Sequence, residues 1–166
     1  HHWAESVRSG DPENLEGRAS AWYWSRIFGP ERDFIRDPRG APPNNLLNYA
    51  YAIIRACVAR ALVGSGLLPT LGIFHRNQYN AYCLADDIME PYRPFADQLV
   101  LSLVQEHGYD LALTPDIKKK LLALPTQDVR IYHETSPMMV AMQRTSASLA
   151  RCFLGESRRI AYPVLE

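Results

Sequence analysis

The chain has 166 residues, of which 47% are hydrophobic and 22% charged. This length suits one core of ordinary size, and this composition excludes a disordered polar segment, so we predict a single folded domain. The 18 Lys and Arg residues balance the 18 Asp and Glu residues, which excludes a bulk electrostatic attraction to phosphate or anionic lipid. Any binding of nucleic acid must therefore be local.

The chain shows no signal of secretion or membrane insertion. Its longest apolar stretch, 53–62, is interrupted by Arg55 and Arg60, and we expect it to be too short to span a bilayer. The absence of an apolar signal segment predicts a cytoplasmic protein without a membrane partner. The three cysteines form no close pair, which predicts core thiols rather than disulfides or a cysteine-based zinc site. His1 and His2 fit either the end of a purification tag or native sequence, and we assign them no function.

The first helix signal is Asp11-Pro12, where aspartate can cap the first amides and proline suits the first turn. It predicts a helix over 12–28 with Glu16 in its early turns. A Gly-Pro pair ends this helix, and the composition of 31–43 predicts a long loop.

Asn44 is predicted to cap a second helix over 44–64, whose apolar residues recur at helical spacing. This pattern is typical of a central core helix. Glycine and proline then interrupt the chain over 64–72, and we place His75 in the loop that follows.

The remaining periodicity predicts a third helix over 80–104, kinked near Pro91 and Pro94. Two further helices and one strand complete the prediction: Thr114-Pro115 opens 115–124, Ser136-Pro137 opens 137–154, and the strand covers 129–132. The predicted fold class is therefore all-α, or mainly α-helical. We divide the chain into an N-terminal segment 1–10, a helical domain 11–155 and a C-terminal tail 156–166.

Asp87 and Glu90 lie three residues apart, so a helix would direct both carboxylates to one side. Taken alone, such a pair is more typical of a solvated surface or of an ion pair with Arg93. A lone histidine such as His75 is more often a hydrogen-bonded structural residue. Together, an imidazole and carboxylates favour Mg²⁺ or Mn²⁺ over zinc.

Four segments in this order resemble the CRISPR-associated integrase family called Cas one, especially its type II branch: VRSGDPENLE at 7–16, NNLLNYAY at 44–51, GIFH at 72–75 and LADDIMEPYRP at 84–94. The resemblance is close from residue 7 to about 97 and looser beyond. It implies the C-terminal catalytic helical domain of this family. The family's β-rich N-terminal domain, which helps form the dimer, has no counterpart in this chain.

The resemblance implies that Glu16, His75 and Glu90 are the ligands of one catalytic Mg²⁺ or Mn²⁺. The family uses aspartate or glutamate at the third position, so Asp87 and Asp86 compete with Glu90, and Asp87 ranks second. Asn44 and Asn48 also match family positions, but we keep both outside the catalytic set.

The resemblance also implies a reaction, in which a DNA 3′-hydroxyl attacks a phosphodiester of the CRISPR repeat and joins a new spacer. Reversal, or attack by water, gives disintegration and nuclease activity. The implied partners are double-stranded DNA as spacer precursor and repeat, the small adaptation subunit Cas two, other type II CRISPR proteins, and a second copy in the full-length homodimer. Two other functions are compatible with this sequence: a DNA-binding scaffold inactive without its N-terminal domain, and a repair nuclease acting on branched DNA.

Four arginines near the end of the chain form a candidate strip for DNA phosphates. Arg144 and Arg151 lie seven residues apart on the last predicted helix, and Arg158 and Arg159 follow it. An ordinary solvated face explains the same pattern equally well.

Overall fold

The computed structural model describes residues 11–29 and 34–165. This part of the chain contains six α-helices and three short strands: α1 Leu15–Ile27, α2 Asn44–Gly64, α3 Cys83–Met89, α4 Arg93–His107, α5 Pro115–Leu121, β1 Asp128–Ile131, β2 Glu134–Pro137, α6 Met138–Phe153 and β3 Pro163–Val164. The mainly helical prediction is confirmed. The segment 1–10, with His1 and His2, lies outside the described residues.

Helix α2 is the centre of the fold, as its apolar periodicity predicts. Its side chains include six that are 0% exposed: Leu46, Leu47, Ala50, Ile54, Val58 and Leu62. It packs against α3, α4, α5 and α6. Burying one leucine or isoleucine contributes about 1.5–3 kcal/mol, so this helix is a main source of stability.

The length of α2 contradicts our expectation that the apolar stretch is too short to span a bilayer. The helix has 21 residues, with a mean hydropathy of 1.4 over its most apolar window. Length and composition therefore do not exclude a membrane span, since the helix continues on both sides of 53–62. Half of that window is buried inside the domain, which is also the ordinary situation of a core helix.

The predicted helix over 80–104 is broken at its prolines. Helix α3 ends at Met89, a turn of 3₁₀ helix covers Glu90–Tyr92, and α4 begins at Arg93. Pro91 and Pro94 have no backbone N–H to donate, so a regular helix cannot pass through them unchanged. The predicted kink is confirmed, and it places Glu90 at the turn between two helices.

The predicted caps had mixed outcomes. The Asp11 carboxylate accepts from the Leu15 and Glu16 amides at 2.8 and 2.9 Å, although helix α1 starts after Pro12 rather than at it. The Thr114 hydroxyl caps α5 as predicted. Asn44 is not the cap of α2, because Pro43 holds that position and Asn44 is the first helical residue.

Ser136 is not the cap of α6 either. It lies in strand β2, and Pro137 occupies the capping position. Proline favours the first helical position, and here Pro137 directly precedes it, so the pattern gave the helix start to within one residue. The Ser136 hydroxyl does not cap the helix.

A three-stranded antiparallel sheet with the order β2-β1-β3 flanks the helices. The predicted strand is confirmed as β1. The two partner strands were not predicted, because β2 has the sequence ETSP without an apolar alternation and β3 has only two residues. The chain beyond residue 155 returns to the domain through β3 and through buried Ala161, whose amide donates to Ser148 Oγ at 2.8 Å.

Helix α1 lies at the edge of the domain and buries only Leu15 along its length. An aromatic cluster holds its end, where Phe28 contacts Phe34 and Tyr109 at ring separations of 4.7 and 6.0 Å. In its middle, the Tyr23 hydroxyl donates to Asp97 Oδ2 of α4 at 2.8 Å. These contacts bring α1, which carries Glu16, toward the break between α3 and α4.

Candidate metal centre

His75 lies in the loop between α2 and α3, as predicted, and Asp87 of α3 organises this loop. The carboxylate accepts from the backbone amides of residues 73, 74 and 75 at 2.6, 3.0 and 3.1 Å. Its Oδ1 also lies 2.6 Å from His75 Nδ1. One carboxylate therefore fixes both the loop and the imidazole.

The protonation of this pair follows from its surroundings. Burial alone would raise the pKa of Asp87, but hydrogen bonds from Phe74, His75 and Ile73 outweigh burial and hold the pKa below its usual value. The carboxylate is therefore ionised at neutral pH and accepts, so Nδ1 carries the proton. In the neutral form of the imidazole the lone pair is then on Nε2, on a side chain that is 42% exposed.

Glu90 stands at the turn between α3 and α4 and is 48% exposed. Arg93 Nη1 donates to its Oε1 at 2.7 Å, so the ion pair expected as the ordinary explanation of this glutamate is present. The Arg93 guanidinium also lies over the Tyr51 ring, 4.4 Å from its centroid. Glu90 is thus oriented by a neighbour and still open to solvent.

His75 and Glu90 line the same cavity, which has a volume of about 400 Å³. Three guanidinium groups line it as well, from Arg36, Arg55 and Arg93. The cavity therefore combines an imidazole and two carboxylates, Glu90 and Asp86, with three guanidinium groups that add positive charge for an anionic substrate.

Glu16 is exposed in the first turn of α1 and does not line that cavity. Ala19 and Ser20, one turn further along α1, line a neighbouring cavity of about 440 Å³ together with Glu90. Residues three and four apart share a helix face, so Glu16 lies on the side of α1 that is turned toward Glu90.

Within residues 11–29 and 34–165, no group of three His, Cys, Asp or Glu side chains is close enough to hold a metal ion. The structure thus places His75 and Glu90 on one cavity, whereas Glu16 lines neither that cavity nor the adjoining one. The donor chemistry fits a hard divalent ion, because it offers two exposed carboxylates and an imidazole with Nε2 available.

The two aspartates that compete with Glu90 have other partners. Asp86 pairs with Arg55 Nε at 2.9 Å and accepts from Asn80 Nδ2 at 2.7 Å. Asp87 makes the four contacts with the His75 loop described above. A carboxylate that orients a metal-binding histidine is a recurrent arrangement in metalloproteins, and Asp87 has this geometry toward His75.

Several residues of this region were not predicted from the sequence. Arg36 donates to Asn44 Oδ1 at 3.0 Å and to Asn48 Oδ1 at 2.7 Å, which joins the predicted loop to α2. Asp97 is 3% exposed, and Tyr51 and Tyr23 donate to its two oxygens. The only sequence signal for Asp97 was a charged residue on the apolar face of a helix.

The four arginines of the predicted strip are not all in one environment. Arg144 and Arg151 line one pocket with Tyr132 and Glu134, and Arg144 pairs with Glu134 at 2.6 Å. Arg158 and Arg159 are exposed beyond α6.

Comparison with known proteins identifies the family of this chain. A sequence model of the family described as CRISPR associated protein Cas1 matches residues 11–122, which contain Glu16, His75, Asp87 and Glu90. The chain belongs to the Cas1 family.

Among curated relatives, the chain is 40% identical over 145 residues to CRISPR-associated endonuclease Cas1 of Neisseria meningitidis serogroup C (strain 8013), covering 87% of this chain and 47% of the relative. It is 38% identical over 118 residues to CRISPR-associated endonuclease Cas1 3 of Thermus thermophilus, covering 64% of this chain and 35% of the relative. The chain thus spans half or less of the length of these Cas1 proteins.

A solved structure described as a casposase bound to integration product shares the fold, with a TM-score of 0.73. The match covers 92% of this chain and 50% of the casposase chain. At 22% identity, the likeness extends to the fold alone.

Proposed function

We propose that this chain is the catalytic helical domain of a divalent-metal-dependent DNA integrase and endonuclease of CRISPR adaptation. The observation that carries the proposal is the cavity shared by His75 and Glu90, with His75 held by Asp87 so that Nε2 is available. Membership of the Cas1 family supports the same reaction class.

In this proposal Glu16, His75 and Glu90 would hold Mg²⁺ or Mn²⁺ once α1 moves Glu16 to the cavity that His75 and Glu90 share. The ion would neutralise charge on the phosphodiester under attack. Asp87 keeps the imidazole oriented, and Arg93 orients Glu90 while its guanidinium remains at the cavity.

The substrate in this proposal is double-stranded DNA, as spacer precursor and CRISPR repeat. Arg36 and Arg55 provide positive charge beside the proposed ligands, where a strand phosphate would lie. The arginines at 144, 151, 158 and 159 would contact phosphates further along the duplex.

The reaction in this proposal is a transesterification. A DNA 3′-hydroxyl loses its proton and forms a new bond to phosphorus. The bond to the leaving 3′-oxygen breaks, and that oxygen takes up a proton to become the new 3′-hydroxyl. The number of phosphodiester bonds is unchanged, so no protein nucleophile and no energy-rich cofactor are needed. Water in place of the hydroxyl gives nuclease activity.

The proposed reaction also requires protein partners and a cellular compartment. In the full-length protein we expect a homodimer that acts with the small adaptation subunit Cas two, and with other CRISPR proteins of type II systems. Because the proposed substrate is chromosomal DNA, we expect the protein to work in the prokaryotic cytoplasm.

The test is strand joining by the full-length protein and by its Glu16→Gln, His75→Ala and Glu90→Gln variants, with Mn²⁺ binding measured in parallel. Each variant should lose joining by more than about 100-fold, because several kcal/mol of charge stabilisation disappear. Glu106→Gln, the same charge change at an exposed residue paired with Lys120, should join at the wild-type rate.

Near-normal joining by one variant would remove that residue from the metal centre, and joining by all three would overturn the mechanism. A wild-type protein that binds DNA without joining or cutting it would support the scaffold function instead. Cleavage of branched DNA in preference to joining would support the repair nuclease.

A further inference from the structure

Asp97 is a buried carboxylate that contacts two other elements through its two oxygens. The Tyr23 hydroxyl of α1 donates to Oδ2 at 2.8 Å, and the Tyr51 hydroxyl of α2 donates to Oδ1. Burial raises the pKa of both phenols, so both remain protonated donors at neutral pH. Asp97 itself lies on α4, so three helices meet at this side chain.

One side of this junction leads to Glu16. Among the residues of α1, only Leu15 is buried. The hydrogen bond from the Tyr23 hydroxyl to Asp97 therefore attaches the middle of α1 to α4. Glu16 lies seven residues before Tyr23, which is two helical turns along the same face. Movement of Tyr23 would therefore move Glu16.

The other side leads to Glu90. The Tyr51 ring lies under the Arg93 guanidinium at 4.4 Å, and Arg93 Nη1 donates to Glu90 Oε1 at 2.7 Å. The Arg36 guanidinium lies 5.4 Å from the centroid of the same ring. The Tyr51 hydroxyl thus donates to Asp97, and the Tyr51 ring packs against Arg93, which orients Glu90.

We propose that Asp97 is a positioning residue for the metal centre, which fixes the separation of Glu16 and Glu90 by joining α1 to the Tyr51–Arg93–Glu90 contact. This inference rests on the proposed function, since it needs both glutamates as ligands. Asp97 does not line the cavity with His75, and in the adjoining cavity beside Glu90 it is only 3% exposed. In this proposal it therefore acts through Tyr23, Tyr51 and Arg93 and does not touch the ion or the DNA.

The test compares Mn²⁺ binding and strand joining by full-length Asp97→Asn, which keeps the side-chain shape, and Tyr23→Phe, which removes only the link to α1. Both variants should bind Mn²⁺ about tenfold more weakly, the usual cost of losing a residue that orients a ligand. Their DNA affinity should be unchanged, and raising the Mn²⁺ concentration should restore their rate. Glu90→Gln, which lacks a ligand, should not recover.

Tyr92→Phe is the matched control, since it also removes one buried phenol hydrogen bond, the 2.7 Å bond to Thr145. It should unfold more easily and still bind Mn²⁺ as the wild type does. Tyr23→Phe removes no core contact of α2, so it remains a test even where Asp97→Asn fails to fold. Hydrogen exchange of the α1 amides should be faster in Tyr23→Phe and unchanged in Tyr92→Phe.

Wild-type Mn²⁺ affinity in both Asp97→Asn and Tyr23→Phe would overturn this inference and leave the proposed function intact. Loss of rate without recovery at high Mn²⁺ would also overturn it, because positioning alone is compensated by more metal. Failure of the wild type to bind Mn²⁺ would overturn the proposed function, and this inference with it.

Discussion

The Asp87 carboxylate accepts four hydrogen bonds from the loop that carries His75, and its side chain is only 8% exposed. Replacing it with asparagine removes the charge and puts an N–H₂ group where an acceptor is needed. Hydrogen bonds to charged groups contribute about 1.5–3 kcal/mol each, so Asp87 is a structural requirement of the loop as well as a neighbour of the proposed metal.

We predict that Asp87→Asn lowers the free energy of unfolding at pH 7 by about 1–3 kcal/mol and weakens Mn²⁺ binding by about tenfold or more. The pKa of Asp87 is below its usual 3.8, so its contribution is complete above that pH and is lost as the pH falls through the lower folded value. The difference from wild type should therefore be constant from pH 7 to about pH 5 and shrink in stronger acid.

Urea unfolding over this pH range measures that difference. Asp110→Asn, at an exposed position outside the loop, is the control and should cost less than about 0.5 kcal/mol. A difference that grew in acid would contradict the depressed pKa of Asp87.

At the scale of elements, the loop between α2 and α3 is shaped by a close approach at Gly72. A Cβ atom there would lie 2.2 Å from the His75 carbonyl oxygen and 2.8 Å from Cys83 Cβ. Neither neighbour is the flexible end of a long side chain, so the loop backbone would have to move. The same Cβ atom would lie 3.2 Å from Asp87 Oδ2, so the crowded point includes both residues of the His75–Asp87 pair.

We predict that Gly72→Ala destabilises the protein by about 1–3 kcal/mol and lowers strand joining by more than tenfold, because His75 leaves its place beside Asp87. Thermal unfolding and a joining assay check the two effects. Gly64→Ala is the matched control: among the described residues, nothing lies within 4 Å of its Cβ, and its effect on stability should stay within about 1 kcal/mol. Equal joining by both variants would show that the close approach at Gly72 has no influence on His75.

At the scale of the whole molecule, the chain is charge-balanced, so the proposed affinity for DNA must come from local groups of cations. The arginines at 144, 151, 158 and 159 are one such group on and after α6. Arg144 is already paired with Glu134 at 2.6 Å, so its contribution should be smaller than that of the exposed Arg158.

We predict that replacing all four arginines with glutamine weakens DNA binding and reduces the slope of log affinity against log salt. The reduction should be about 0.9 for each DNA phosphate that an arginine no longer neutralises. A binding titration at several salt concentrations measures the slope. The triple replacement of Lys118, Lys119 and Lys120 with glutamine, on α5, is the control and should leave it unchanged. An unchanged slope in the arginine variant would show that the strip is an ordinary solvated surface.

Among elements, the sequence predicted best where structure depends on near neighbours. The apolar residues of α2 repeat every three or four positions, and the prolines at 91 and 94 remove backbone donors, so the core helix and the helix break followed directly. The prediction that Asn44 caps α2 was wrong, because its side chain binds the preceding loop instead of the helix amides. It accepts from Arg36 and from the Asp37 amide, and such partners cannot be read from a capping pattern.

For the whole chain, the sequence by itself determined the mainly helical class, the core helix and, through the order of its motifs, the Cas1 family and the candidates Glu16, His75 and Glu90. Only the tertiary structure decided that Asp87 holds His75, that Asp86 pairs with Arg55, and that Asp97 joins α1 to α2. The physical reason is range. Caps and periodicity act within about one or two helical turns, whereas Tyr23 and Asp97 are 74 residues apart and meet only when the helices pack.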